Sequence, residues 1–235
     1  MVKKHLIDKR TIVYLINPYK DMINEYKTYM VSNITDHKGN YDKLINIGKS
    51  LIVIKDYVYS SSFHKDYFSS LLISEINSCL YCIKNNLPKR YFYFSFRGVI
   101  ETFARLNIID NTSRIVDNVF NDFKEQNAII IADNEFYKDF YSVIKSKYST
   151  SSGYVHGSKE VQFSLKEAIE DLQNPDFQKD TQEMIKELEI ILELIKKFFL
   201  SKDHEYTTLK HIFNRRTIVL KYLLSKAEIR IIFKI

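Results

Sequence analysis

The fold depends on one stretch, PKRYFYFSFRGVIETFARL, which runs from Pro88 to Leu106. Proline is common at the first position of a helix, and no further proline follows it here, so the stretch predicts one long helix. Successive helical residues are rotated by about 100°, which gathers the apolar residues on one side. These residues are Phe92, Phe96, Val99, Ile100, Phe103 and Leu106. We expect this side to pack in a core.

A narrow charged stripe runs along the other side of the same helix. It consists of Arg90, Arg97, Glu101 and Arg105, with Phe94 among them. One interpretation is a solvated face on which Arg97 and Glu101 form an ordinary i,i+4 pair. The other is a polar pocket, because charges on a surrounded helix are costly unless they are paired.

A second stretch of interest is YSTSSGYVHGS, residues 148–158. Its serines predict a loop, and the loop ends at His156 followed by glycine. A lone histidine before glycine is often a surface or capping residue. Imidazole exchanges protons near neutral pH, so beside a guanidinium and a carboxylate it is a candidate acid-base or phosphate-contacting group. The functional hypothesis requires the two stretches to meet in space.

The rest of the chain predicts an all-α protein, an antiparallel up-and-down helical bundle. Five Gly and three Pro in 235 residues leave few points at which a helix must end. Residues 66–85 have helical periodicity, and the short turn before Pro88 makes this helix antiparallel to the next. We expect residues 1–65 to be a helical extension packed on a bundle of residues 66–235, in a single globular unit.

Weaker local signals give further expectations. Asn17 and Pro18 predict a helix start, while residues 10–16 fit either a helix or a strand. Helices are also expected near residues 112–126 and 134–147. The spacing S-x-x-E at Ser164 predicts a capping box, and Asp180 with Glu183 repeats it. The terminal IRIIFKI, residues 229–235, is prone to form a strand. A seam inside the bundle is expected from Met184, Leu188, Ile191, Ile195 and Phe198.

Several classes of function are disfavoured by the composition. Cys79 and Cys82 lie in a helical pattern without a second pair, so they indicate core residues rather than a metal or redox site. The chain has no Gly-rich phosphate loop, no G-x-S-x-G and no H-E-x-x-H, so we expect no cofactor and no metal. No signal peptide or membrane-spanning run is apparent, which predicts a cytoplasmic protein. A net charge of +6 indicates moderate attraction for anions.

Together the two stretches resemble a known family. R-x-x-x-E from Arg97 to Glu101, followed by Ser152-Gly-Tyr-Val-His156-Gly, is similar to motifs of the HEPN-like helical proteins of prokaryotic abortive-infection and toxin-antitoxin systems. The resemblance covers about residues 66–200. It implies a homodimeric helical bundle that cuts RNA without a metal, with an antitoxin or defence-system protein as partner. In that scheme an arginine polarises the phosphate and a histidine acts on the 2′-hydroxyl.

By motif, the catalytic positions implied here are Arg97, Glu101 and His156. The expected RNA-binding or anion-binding residues are Arg90, Arg105, Ser152, Tyr154 and Ser158. The chain departs from the ribonuclease members, because none of its arginines is followed by a histidine in R-x4-6-H spacing. Folding must therefore bring Arg97 to His156.

Two alternatives remain open. In one, the protein is a non-catalytic binding or scaffold module in which Arg97, Glu101 and His156 form a structural network. In this case Arg97→Ala would leave Glu101 buried without a partner. In the other, the same pocket receives a nucleotide or another anion without chemistry.

Overall fold

A computed structural model describes residues 9–31, 38–60, 66–108, 116–128, 139–156, 177–202 and 217–233. All regular elements in these ranges are helices, which confirms the predicted all-α class for this part of the chain. In chain order they are α1 Lys9–Val31, α2 Lys38–Ser60, α3 Asp66–Lys84, α4 Lys89–Leu106, α5 Val116–Gln126, α6 Phe140–His156, α7 Phe177–Lys202, α8 Thr217–Leu223 and α9 Lys226–Phe233. None of them has the length and apolar character needed to cross a membrane.

The predicted hairpin of α3 and α4 is present, and the two helices pack along each other. The turn at residues 85–88 is closed by a 2.9 Å hydrogen bond from the Leu87 amide to the Cys82 carbonyl. Asn86 adopts a φ of 49°, a left-handed conformation that asparagine tolerates better than most residues. Pro88 stands immediately before α4 rather than inside it. The hairpin thus fixes α4 against its neighbour.

The core forms around the apolar side of α4. All six of its predicted core residues are buried. Phe103 makes edge-to-face contacts with Phe123, Phe198 and Phe199, and a further contact with Phe140. The expected seam of α7 is at most 1% exposed at each of its five positions. It is therefore confirmed as an intramolecular seam of the bundle.

The N-terminal helices belong to the same core. Ile23 and Met30 of α1 are buried, as are Leu44, Ile47 and Ile54 of α2. Helix α2 packs chiefly on α7. The described part of residues 1–65 therefore packs into the same core as the described helices that follow it.

The predicted helix start at Asn17 is wrong. Helix α1 begins at Lys9 and contains Pro18, so residues 10–16 are helical. A proline inside a helix removes one backbone hydrogen bond. The buried side chains of Ile23 and Met30 hold this long helix against its neighbours, and the packing outweighs the local signal.

The prediction of a Ser-rich loop is also wrong over residues 148–156, because these residues form the last turns of α6. Ser151 donates a 2.8 Å hydrogen bond to the carbonyl of Tyr148, one turn earlier in its own helix. Serine hydroxyls satisfied in this way are compatible with a helix interior. Gly157 and Ser158 lie outside the described residues.

The C-terminal part differs from expectation at two points. Helix α7 begins at Phe177, so Asp180 and Glu183 lie inside it rather than forming a capping box. Residues 229–233 are helical in α9, so the strand expectation is wrong there. A capping box not foreseen starts α9: Glu228 accepts a 2.7 Å bond from the Ser225 amide, and Ser225 accepts one from the Glu228 amide. The box expected at Ser164 lies outside the described residues.

Candidate functional site

Arg97 projects from the outer side of α4 towards α6. The opposite side of α4 is buried, so the packing of its phenylalanines decides this orientation. Arg97 is partly buried, and its Nε donates a 3.0 Å hydrogen bond to the phenolic oxygen of Tyr148. The guanidinium carbon also lies 5.2 Å from the centre of the Tyr148 ring, a cation-π distance. The guanidinium is thus oriented by a ring and a hydroxyl.

The same guanidinium reaches His156 at the last residue of α6. Arg97 Nη1 and His156 Nε2 are 2.7 Å apart. A guanidinium can only donate, so Nε2 is the acceptor and this ring nitrogen carries no proton in the contact. His156 is exposed to solvent. The expectation that folding brings Arg97 to His156 is confirmed, whereas their chemical role stays a prediction.

Glu101 does not belong to this cluster. Its Oε1 accepts hydrogen bonds from the Nε and Nη2 of Arg105, at 3.0 and 2.9 Å. Glutamate four residues before arginine is the favourable order on a helix, whereas arginine before glutamate is not. The i,i+4 pair of Arg97 with Glu101 is therefore not formed, and Glu101 pairs with Arg105 instead.

Arg97 consequently has no acidic partner among the described residues. Its hydrogen-bond partners in the described part of the chain are a phenol and an imidazole, and no carboxylate pairs with it. Nearby Glu101 is neutralised by Arg105. A partly buried, oriented guanidinium that pairs with no carboxylate among the described residues has the chemistry to bind an anion such as phosphate.

Helix α6 is held in place by contacts on both sides of the site. The Tyr154 ring stacks on Tyr93 of α4 at 4.1 Å with an angle of 12°. Tyr93 donates a 3.0 Å hydrogen bond to Glu183 of α7. Burial, followed by the charge of Glu183, raises the pKa of the Tyr93 phenol well above its ordinary value. An ion pair of 2.6 Å between Lys147 and Glu187 ties α6 to α7.

The start of α4 is anchored separately. Lys89 lies 2.7 Å from Asp180 and 2.8 Å from Glu183, both on α7. Burial alone would lower the pKa of Lys89, but hydrogen bonds and charges from the two carboxylates outweigh it and raise the pKa. Asp180 and Glu183 therefore join α7 to α4.

A close approach between helices adjoins Arg97. The Glu75 side chain of α3 lies over Gly98, where a Cβ atom would be 2.7 Å from the Glu75 carboxyl carbon. Burial raises the pKa of the Glu75 carboxyl. A glycine at this position thus lets a polar side chain cross the surface of α4.

The other predicted contact residues are dispersed. Arg90 is exposed near the start of α4, and Arg105 is engaged with Glu101. Ser152 has a buried hydroxyl that makes no hydrogen bond within the described ranges. Tyr154 stacks on Tyr93, and Ser158 lies outside the described residues. Tyr148 was missed, although it lies eight residues before His156 on the same helix.

Metal and thiol chemistry find no support in this region. In the ranges that the structure describes, no three His, Cys, Asp or Glu side chains are grouped to hold a metal ion. Cys79 and Cys82 are free and buried, which confirms them as core residues. Burial raises the pKa of Cys82 to about 11, so its thiol stays protonated.

In comparisons with known proteins, the chain matches no family model, no curated protein and no solved structure. What the protein does must therefore be inferred from the Arg97 site.

Proposed function

We propose that this chain is an HEPN-like protein of a phage-defence or toxin-antitoxin system, and that it cleaves RNA without a metal through Arg97 and His156. The 2.7 Å contact between Arg97 and His156, with no carboxylate paired to Arg97 in the described ranges, is the observation that supports the proposal. It joins an anion-binding group to a group that accepts protons. Metal-independent RNA cleavage requires both at one phosphate.

The exposure of the site favours a large substrate. His156 is exposed and Arg97 partly buried, so a phosphate in a polymer backbone can reach both without entering a cavity. The net charge of +6 favours association with a polyanion. RNA fits this arrangement better than a small enclosed metabolite does.

A reaction path follows from the hydrogen bonds. The substrate phosphate replaces His156 as the partner of Arg97, whose fork of donors holds the non-bridging oxygens. This exchange frees Nε2 of His156 to take the proton of the neighbouring 2′-hydroxyl. The 2′-oxygen then bonds to phosphorus, the bond to the 5′-oxygen breaks, and that oxygen takes a proton from water. The products are a 2′,3′-cyclic phosphate and a 5′-hydroxyl.

Tyr148 has a positioning role in this scheme. It accepts a hydrogen bond from Arg97 Nε and offers its ring face to the guanidinium. Tyr148→Phe keeps the ring and removes the acceptor, so we expect a modest fall in kcat with little change in KM. Tyr148→Ala removes both and should lower kcat further, which a role confined to stability would not predict.

The test is to incubate purified protein with total RNA in excess EDTA. Wild type should release fragments ending in 2′,3′-cyclic phosphate, and His156→Ala and Arg97→Ala should lower the rate on the order of 10²- to 10⁴-fold. Lys221→Ala, at an exposed position of α8, is the matched control and should retain the wild-type rate. Equal cleavage by wild type and His156→Ala would exclude the proposed site.

The alternative of a non-catalytic binding module keeps one supporting observation. The stacking of Arg97 on Tyr148 and its two hydrogen bonds also join α4 to α6, so Arg97 has a structural role in any case. Thermal melts read together with cleavage assays separate the two functions. In a binding module wild type cleaves no RNA, and Arg97→Ala only lowers Tm. In an enzyme wild type cleaves RNA, and Arg97→Ala loses far more activity than a stability loss of about 1 kcal/mol explains.

A further inference from the structure

A groove between α3 and α4 lies outside the site described above. It has a volume of about 670 Å³ and is open to solvent. Its walls include Ser74, Asn77, Tyr81, Tyr91, Phe94 and Ser95. The proposed reaction makes no use of these side chains.

Three aromatic side chains that line the groove are exposed to solvent. Tyr81 is 60% exposed, Tyr91 58% and Phe94 65%. Other aromatic rings of the bundle, including Phe92, Phe96 and Phe103, are buried almost completely. A group of exposed rings beside a groove is typical of a binding surface, whereas single exposed apolar residues are not.

The groove lies next to Arg97 along α4, because Phe94 lines it. Phe94 lies three residues before Arg97, and the exposed Arg90 lies four residues before Phe94, so the three side chains are neighbours on one face of α4. A phosphate held by Arg97 therefore places the adjoining nucleotide beside Phe94. Arg90 is positioned for another phosphate of the same strand.

The chemistry of the walls matches nucleobases. Serine hydroxyls and the amide of Asn77 can hydrogen-bond with base edges, and the rings offer flat faces for stacking. No carboxylate is among the residues that line the groove, so nothing in its walls repels a polyanion. A protein helix would call for a more aliphatic surface, because such helices are bound mainly through apolar contacts.

We infer that this groove binds unpaired bases of the RNA by stacking on Phe94, Tyr91 and Tyr81, which makes single-stranded RNA the substrate class. The inference rests on the proposed function of Arg97 and His156. Bases inside a duplex are already stacked on each other and cannot enter the groove. The aromatic groove thus selects single-stranded segments and positions the phosphate next to them on Arg97.

Binding is measured with a fluorescein-labelled single-stranded RNA 12-mer, alone or annealed to its complement. The protein carries His156→Ala, so that cleavage does not interfere. Fluorescence anisotropy should show that Phe94→Ala and Tyr91→Ala each weaken single-strand binding on the order of 10-fold, the usual contribution of one stacked base. Phe94→Tyr keeps a ring and should bind within about twofold of its parent.

The matched control is Tyr14→Ala, which removes a ring that is 78% exposed on α1. It should leave the affinity for RNA unchanged. Unchanged single-strand affinity in Phe94→Ala and Tyr91→Ala would overturn the inference. So would a change from dimer to monomer in those variants without a change in affinity, because the groove would then be a protein interface.

Failure of the groove and failure of the catalytic proposal give different results. If wild type cleaves RNA and the groove variants bind as tightly as their parent, the groove inference falls and the catalytic site stands. If the groove variants lose affinity but wild type cleaves no RNA, the groove inference stands and the catalytic proposal falls. Circular dichroism melts of each variant verify that these surface changes leave the fold intact.

Discussion

Two charged contacts of this molecule, one between α7 and α9 and one between α4 and α6, are built in opposite ways. Lys196 and Glu228 form a 2.8 Å ion pair whose side chains are only 5% and 2% exposed. Glu228 also caps α9 through the Ser225 amide. Arg97 instead contacts a neutral acceptor on an exposed residue, and no carboxylate of the part of the chain that the structure describes pairs with it. We call the first contact closed, because both side chains are buried, and the second open, because His156 is exposed to solvent. Under the proposed function, the open contact exchanges its partner for a phosphate.

The largest effect on stability is expected at the closed contact. Lys196→Ala leaves the Glu228 carboxylate buried without its cation, which costs on the order of 3–5 kcal/mol. For a chain of this size the loss lowers Tm by about 10 °C. Thermal denaturation measures it. The double variant Lys196→Met with Glu228→Gln should recover part of the loss. If Lys196→Ala is as stable as wild type, the Lys196–Glu228 contact does not serve the fold.

An intermediate effect on stability is expected at Tyr93, which contacts both Tyr154 of α6 and Glu183 of α7. Tyr93→Phe removes the hydroxyl that donates to the Glu183 carboxylate but keeps the ring that stacks on Tyr154. A hydrogen bond to a charged group contributes about 1.5–3 kcal/mol. Chemical denaturation should show a loss in this range, with α6 still in place and RNA cleavage reduced by less than about 10-fold. Complete loss of cleavage would mean that the hydroxyl itself takes part in the reaction.

A smaller effect on stability is expected at the open contact. Arg97→Ala removes two hydrogen bonds of a partly exposed side chain, and we expect a loss of about 1 kcal/mol in the free energy of unfolding. Arg97→Lys keeps the charge without the planar fork and should also lose activity. Melting curves at matched pH provide the comparison. A loss at Arg97 as large as the loss at Lys196 would show that the open contact also serves mainly the fold.

The smallest effect concerns Glu75, and it depends on pH. Its folded-state pKa is raised by burial, so the folded protein binds this proton more tightly than the unfolded chain does. The favourable contribution is complete at pH values below the ordinary carboxyl pKa and is lost as the pH rises through the raised pKa. Glu75→Gln should therefore raise Tm at neutral pH and leave it unchanged in acid. A Tm gain that is the same at every pH would exclude titration of Glu75 as its cause.

The sequence predicted the core better than the site, for a physical reason. The apolar side of α4 and the seam of α7 have a helical period, and burial of periodic apolar side chains depends little on neighbouring elements. The end of helix α6, residues 148–156, was predicted as a loop because its serines resemble one, whereas in the structure the Ser151 hydroxyl bonds to the backbone of its own helix. Packing of Tyr154 on Tyr93 completes that helix, and a contact across sixty residues has no local signal.

Residue spacing alone does not predict which arginine pairs with Glu101. Arg97 and Arg105 lie four residues to either side of it, so the sequence offers two equivalent pairs. Only the direction of the helix favours Arg105, and the geometry of Arg105 agrees with that preference. Because Glu101 pairs with Arg105, Arg97 pairs with no carboxylate among the described residues. Direction along the helix was the signal that could have revealed it.

Tyr148 and His156 lie on one helix, so we expect relatives of this protein to keep the spacing between these two residues. The two residues contact one guanidinium from α6, and insertions within residues 148–156 would break the arrangement, whereas insertions between α4 and α6 would not. A search pattern built from Arg97-Gly98 and Y-x7-H, with free spacing between the two, therefore captures the geometry. Divergent members of the lineage should keep this pair of short motifs after overall similarity has disappeared.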